Sequence, residues 1–221
     1  KEGSVFIKVS DDKKEAVLIA LNCETDFVAK NDEFLSLGKL IVETAFAKKP
    51  ATTEALLAEK AGDLTLNEKI TELVGKIGEK LEISSYVHMT GETVVPYIHA
   101  GNKLGVLVSL KGVNGKDVTE AGKDVGMQIA AMNPLAVDEK TIDRTIIDKE
   151  LEIAKAQIIA EGKAENMVEK IAAGKLNRFF KDNTLLPQIF VKDNSKTVAQ
   201  YLDSVTKGLT VAEFKRVAIG G

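Results

Sequence analysis

Residues 16–50 read AVLIALNCETDFVAKNDEFLSLGKLIVETAFAKKP, and three kinds of segment follow one another in them. Ala16-Val-Leu-Ile-Ala-Leu21 is an unbroken apolar run of strand length. A polar stretch follows. Phe34, Leu37, Ile41 and Ala45 then recur at helical spacing, with Asp32 as the expected cap and Pro50 as the stop. A strand leading directly into an amphipathic helix predicts a small sheet covered by helices.

Upstream, Val5, Ile7 and Val9 alternate with Phe6 and Lys8 before the turn residues Ser10-Asp-Asp-Lys13, so the first two strands read as a β-hairpin. Downstream, Thr52 or Thr53 caps a short helix reaching about Lys60. Leu66, Ile70, Leu73, Val74 and Ile77 mark another helix, which ends at the glycines of Gly75-Lys-Ile-Gly78. Strands are expected over Ile83–Met89, over Val94–His99 (an edge strand, because of Pro96) and over Leu104–Leu110. Val118, Ala121, Val125, Ile129 and Met132 form a helical stripe before Pro134.

A weak internal repeat runs through this order. Gly38-Lys39 with Ala47 and Pro50 matches Gly122-Lys123 with Ala131 and Pro134 at one constant spacing, each set preceded by an apolar strand. The strands are offset by a different amount, so the connecting loop has changed length. The fold class expected is α+β: two duplicated subdomains of small antiparallel sheet covered by helices. Residues 138–187 break the pattern. Ile147, Leu151, Ala154 and Ile158 stripe one charged helix, Gly162-Lys163 turns it, and Met167, Ile171 and Leu176 stripe a second, giving an inserted antiparallel helical pair. Ile189–Val191, a helix around Thr197–Leu202 and a strand from about Leu209 to Ile219 complete the chain.

Composition narrows the function. The 221 residues are 44% hydrophobic and 29% charged, enough apolar mass for a packed core. Thirty basic against thirty-three acidic residues give a net charge of −3, which argues against a protein held mainly by nucleic-acid phosphates. The single cysteine excludes an internal disulfide and fits a reducing compartment. No apolar run approaches the roughly 18 residues that cross a bilayer. The chain opens Lys-Glu-Gly-Ser without Met and goes straight into an apolar alternation, so no signal peptide is read and an upstream piece is expected to be missing.

No catalytic constellation is legible. The two histidines, His88 and His99, make no metal-ligand spacing, and there is no phosphate-binding loop, dinucleotide fingerprint or nucleophile elbow. Cys23 closes an apolar strand and reads as a buried, inert thiol. Asp11-Asp12 and Asp32-Glu33 are carboxylate pairs that turn and cap roles explain. Gly75-Lys-Ile-Gly78 admits two readings: a GXXG loop clamping nucleic-acid backbone, or a glycine-rich helix terminus among acidic neighbours. A binding or regulatory protein is therefore expected rather than an enzyme.

The most specific stretch is Cys23 to Phe34, where Phe27 stands beside Asp26 between a strand and a capped helix. The ring either enters the core as a hydrophobic staple or stands outward as a rigid wedge, with the carboxylate supplying charge.

Thr25-Asp26-Phe27-Val28, followed by Ala-Lys-Asn-Asp, resembles the signature of the translation elongation factor Ts family. Lys76-Ile-Gly-Glu79, His99-Ala-Gly-Asn-Lys-Leu-Gly-Val-Leu-Val108 and Ser195-Lys-Thr-Val-Ala-Gln200 fit in the right order, so the resemblance extends over nearly the whole chain. It implies a guanine-nucleotide exchange factor for elongation factor Tu. No cofactor, metal, membrane or direct nucleic-acid contact is implied, and homodimerisation is left open. Residues 1–91 would be an N-terminal core subdomain, 92–137 with 188–221 a C-terminal one, and 138–187 a coiled-coil insertion. The resemblance implies that Thr25, Asp26, Phe27, Val28, Ile77, Gly78 and His99 bind the partner. Asp26 would disturb the partner's magnesium waters and Phe27 would pack between its helices, assisted by Ile77 and His99. The C-terminal subdomain would grip a second, distal domain of the partner. The family's small helical N-terminal module is missing before Lys1, and a further C-terminal helix is missing after Ile219-Gly-Gly. The implied location is the bacterial cytoplasm, with an organelle matrix also compatible.

Overall fold

The computed structural model describes residues 1–220 and divides them into two compact units, 1–131 with 208–220 and 132–207. In the first unit, β1 (Glu2–Val9), β2 (Glu15–Cys23) and, further along the chain, β5 (Glu82–Thr90) form an antiparallel sheet with β2 at its centre. Between β2 and β5 come α1 (Asp26–Ala29), α2 (Asp32–Lys48) and α3 (Thr53–Ala58). A two-residue ladder, β3 (Lys60–Ala61) with β4 (Leu64–Thr65), leads into α4 (Leu66–Ile77). A second antiparallel sheet contains β6 (Thr93–Ile98), β7 (Leu104–Lys111) and β8 (Thr210–Ala218), with β7 central and α5 (Thr119–Met132) following it. Pro96 lies on β6, an edge strand, where its missing N–H costs no ladder bond.

β2 is apolar from Ala16 to Leu21 because both of its faces are covered there. Val17, Ile19 and Leu21 point into a core with Phe34, Leu37, Ile41 and Ala45 of α2 and Leu66, Ile70 and Leu73 of α4. Ala16 and Leu18 point the other way and meet Met89, Val94 and Leu107, so the two sheets pack face to face. Beyond the second sheet lies α5, which buries Ala121, Val125 and Ile129. Met132, at its end, is exposed, so the expected stripe stops one turn earlier.

The repeat has a structural counterpart. In each half an edge strand pairs with a central strand, which leads to a helix and, later, to the third strand. The ladder with the third strand shifts register between Ala20 and Leu21 in one half and between Ser109 and Leu110 in the other. Each half also seats a helix glycine against its edge strand, Gly38 on Phe6 and Gly122 on Val95. The path from register shift to glycine is longer in the first half, and it contains α1.

In the second unit α6 (Arg144–Ala160) and α7 (Val168–Asn183) form a helical hairpin turned at Gly162, which has a positive φ of 74°. Ala154 and Ile158 meet Val168 and Ala172 between the helices. The expected second stripe is met at Ile171, which packs against this cluster, and corrected at Met167. Met167 is exposed, and the buried face lies one residue further on, where Ala154 and Ala172 let the helices approach closely. Ile189–Val191 contributes a single bridge, Ile189 to Thr197, rather than a strand. α8 (Val198–Val205) follows, opened by a capping box between Thr197 and Gln200. Buried Phe190 stacks on Tyr201 of that helix, with ring centroids 4.1 Å apart.

Among the described residues no helix is long and apolar enough to cross a membrane.

Candidate functional site

α1 is a single helical turn held from three directions. Thr25 caps it, its hydroxyl accepting from the Val28 N–H at 3.3 Å. Val28 and Ala29 are buried in the helix-covered core. Successive helical residues lie about 100° apart around the axis, so with Val28 and Ala29 inward, Phe27 faces water. Its side chain is 82% exposed, the most exposed large hydrophobic in the described chain. The staple reading of Phe27 is thereby excluded. The stretch expected to be a loop is in part this helical turn.

The third restraint comes from the end of α4. Gly78 closes that helix with a φ of 80°, a left-handed conformation that favours glycine. The chain then delivers Glu79 to the start of α1. One carboxylate oxygen accepts from the Glu24 and Thr25 backbone N–H groups, both at 3.1 Å, and the other accepts from the Thr25 hydroxyl at 2.7 Å. Burial works to raise this carboxyl, but the hydrogen bonds from Thr25 and Glu24 prevail and hold it below its ordinary value. Gly75 lies inside α4, so the two glycines do not form the loop that a backbone clamp requires.

Asn31, not Asp32, caps α2, accepting from the Glu33 and Phe34 N–H groups at 2.8 and 3.3 Å. Both residue types can cap; the one-residue difference follows from where α1 ends, since the Asn31 N–H is taken by the Val28 carbonyl. Lys76 of α4 reaches Glu33 of α2 at 2.9 Å, an exposed ion pair between the two helix ends. Cys23 is buried and donates to the Thr25 carbonyl at 3.1 Å. Burial first, and the Glu79 carboxylate second, push its thiol up to about 11.

His99 enters from the other sheet. It opens the turn between β6 and β7, where Gly101 and Asn102 both take positive φ. The His99 carbonyl accepts from the Asn102 N–H at 3.1 Å. The imidazole is exposed, with Nδ1 3.3 Å from the Tyr97 hydroxyl. The next residue after the turn, Lys103, donates to Glu2 on β1, whose register partner is Cys23. The Glu2 carboxylate holds the Lys103 ammonium above its ordinary value, and Asp26 adds to the effect. The structure thus joins Thr25 to Glu79 directly, with Gly78 next to it in the chain, and links the turn that His99 opens to Cys23 only through Lys103 and Glu2. Ile77 is half-buried against the core. Sequence reasoning missed the parts played by Glu79, Asn31, Glu2 and Lys103. Glu79 lay inside a quoted motif, but nothing local announces a partner so far back in the chain.

The geometry offers an exposed apolar ring with a carboxylate next to it in sequence, on a turn held at Thr25, Val28, Ala29 and Glu79. Among the described residues no group of three or more His, Cys, Asp or Glu side chains is arranged to hold a metal.

Comparison with known proteins identifies a family. The family model described as Elongation factor TS matches residues 24–221. The elongation factor Ts of Cytophaga hutchinsonii is 55% identical over 219 residues, covering 99% of this chain and 79% of the relative. That of Amoebophilus asiaticus is 53% identical with the same coverage. The more distant elongation factor Ts of Chlorobium phaeobacteroides is 35% identical over 229 residues, covering 99% of this chain and 80% of the relative.

Proposed function

This chain belongs to the elongation factor Ts family, the guanine-nucleotide exchange factors of translation elongation, and we propose that it promotes GDP release from elongation factor Tu by wedging Asp26 and Phe27 in beside the magnesium and phosphate site. The observation that carries the mechanism is the exposed Phe27 ring on a turn fixed at Thr25, Val28 and Glu79. A ring that contributes little to its own fold has most of its surface left for a partner. Desolvation is worth about 25 cal/mol per Å² of apolar area.

The thermodynamics are those of linkage. A factor that binds the nucleotide-free GTPase more tightly than the GDP-bound form loosens GDP by the same ratio. Each tenfold loosening requires about 1.4 kcal/mol of differential binding. A wedge supplies a difference because it fits only when the nucleotide site is displaced. Equal binding to both forms would shift nothing. Asp26 acts on the polar shell of the partner's magnesium, which neutralises phosphate charge, so its disturbance weakens GDP selectively. The factor needs no phosphate loop of its own.

Gly78, Ile77 and His99 flank the wedge in this reading, and the β6–β8 half grips a second domain of the partner. The two sheet-bearing halves act as the N- and C-terminal core subdomains, with the α6–α7 hairpin as an insertion. The work is done in the bacterial cytoplasm, a reading supported by the bacterial sources of the relatives.

The test is release of fluorescently tagged GDP from elongation factor Tu with and without the chain, in excess unlabelled GDP. Release accelerated in proportion to added chain is expected. An unchanged rate at saturating chain would overturn the reading.

A further inference from the structure

α1 is too short to hold its own shape. A single helical turn fixes several dihedrals for one hydrogen bond and is unfavourable in isolation. Burial of Val28 and Ala29 anchors its inner side. The start of the turn, where Glu24 and Thr25 follow the strand, is tied locally by the Cys23 thiol, which donates to the Thr25 carbonyl, and from a distant element by one side chain. Glu79 takes both backbone N–H groups there and the Thr25 hydroxyl as well. By receiving that hydroxyl's proton it turns the oxygen's lone pairs toward the Val28 N–H, which the cap requires. The segment that delivers Glu79 leaves a helix whose end is closed by the Gly78 N–H on the Val74 carbonyl at 2.8 Å.

We propose that Glu79 is a positioning residue for exchange: it locks the start of α1 so that Phe27 and Asp26 are presented in one pose before a partner arrives. The inference rests on the wedge reading above. Without Glu79, Thr25 loses its fixed rotamer, the turn frays from its start, and the ring samples orientations that must be reordered on binding. Preorganisation is lost while the chemical groups of the wedge stay in place. Glu79 need not touch the partner for this. Gly78 follows as part of the same device, since its left-handed backbone aims Glu79 across to Thr25.

Two measurements test it. The chain contains no tryptophan, so Phe27→Trp makes a unique reporter at the prong, read in the free protein by time-resolved fluorescence anisotropy. Glu79→Ala in that background is expected to enlarge the fast, local component of depolarisation. Glu79→Gln, which keeps the shape and one carbonyl acceptor, is expected to restore part of the order. An identical fast component in all three proteins would overturn the proposal. The second measurement is a double-mutant cycle on stimulated GDP release from elongation factor Tu. Glu79→Ala alone is expected to slow release about tenfold, as a displaced binding group does, and to have little further effect when Phe27 is already Ala. Independent, multiplying losses would show that Glu79 acts by another route and would overturn the proposal. If Phe27→Ala is itself silent in exchange, the wedge reading fails, while the anisotropy still decides whether Glu79 orders the turn.

Discussion

Phe6 of β1 lies over Gly38 of α2 so closely that a Cβ at Gly38 would come within 2.1 Å of the ring's Cζ. The other half repeats the arrangement with Val95 of β6 and Gly122 of α5, where a Cβ would come within 2.5 Å of the Val95 Cβ. The repeated glycines therefore share a steric task, the close seating of a helix on an edge strand.

Gly122→Ala is expected to destabilise the fold by about 1–3 kcal/mol, because Val95 meets the new methyl with its stiff branched carbon. Gly38→Ala is expected to cost less, since the encounter is with the far end of a ring. Gly75, inside α4 with open space around it, is the control. Gly75→Ala is expected to stabilise by about 0.5–1 kcal/mol through helix propensity. Urea unfolding of the three variants checks the order.

Phe27→Ala is expected to reduce stimulated GDP release by roughly tenfold or more, as loss of an aromatic anchor does. The melting temperature should barely move, since surface substitutions usually stay within about 0.5 kcal/mol. A large fall in melting temperature with exchange intact would refute the prediction.

Asp26→Ala is expected to lose less exchange activity than Phe27→Ala, because the ring supplies most of the area a partner can bury. Comparing the two single variants in the same release assay settles the order. Full activity in Asp26→Ala would remove the carboxylate from the mechanism.

Cys23 should resist alkylation. With its thiol pushed up to about 11 by burial and by the nearby Glu79 carboxylate, almost no thiolate exists at neutral pH. Iodoacetamide at pH 8 is expected to label the native chain far more slowly than the chain in urea, as read by mass spectrometry.

Acid should loosen the sheet end near Glu15. Its carboxylate accepts from His88 at 2.5 Å and pairs with Lys49 at 3.2 Å, and these contacts, His88 first, outweigh burial and hold it below the ordinary 4.5. A depressed carboxyl contributes stability above the unfolded value and loses it as pH falls through the folded one. Glu15→Gln is therefore expected to be less stable than the parent at neutral pH and to approach it below about pH 4. Melting curves across that range provide the check.

Much of the architecture was legible because it is written in local periodicity. Leu66, Ile70 and Leu73 mark the buried face of α4, and Pro96 marks an edge. The rest depends on contacts that local pattern does not carry. α1 is shorter than any period that would reveal it, and β3 with β4 is a ladder of two residue pairs. Val168 and Ala172 take the place in the hairpin seam expected for Met167, a choice visible only with the facing Ala154 and Ile158 known. At the site, Phe27 was legible as a residue but not in its direction. That direction follows from Val28 and Ala29 facing inward, and from Glu79 arriving from α4.

α1 occupies the added length between register shift and helix glycine in only one of the two sheet-bearing halves, so it is an addition that the repeated strands and seated helices do not themselves use. Packing constraints on the repeated elements fall on residues such as Gly38 and Gly122, whereas in the proposed reading recognition falls on the exposed Phe27, which the core does not enclose. On that reading, selection for durability and selection for partner choice would act on separate residues, and the pace of exchange would be free to evolve without loosening the core.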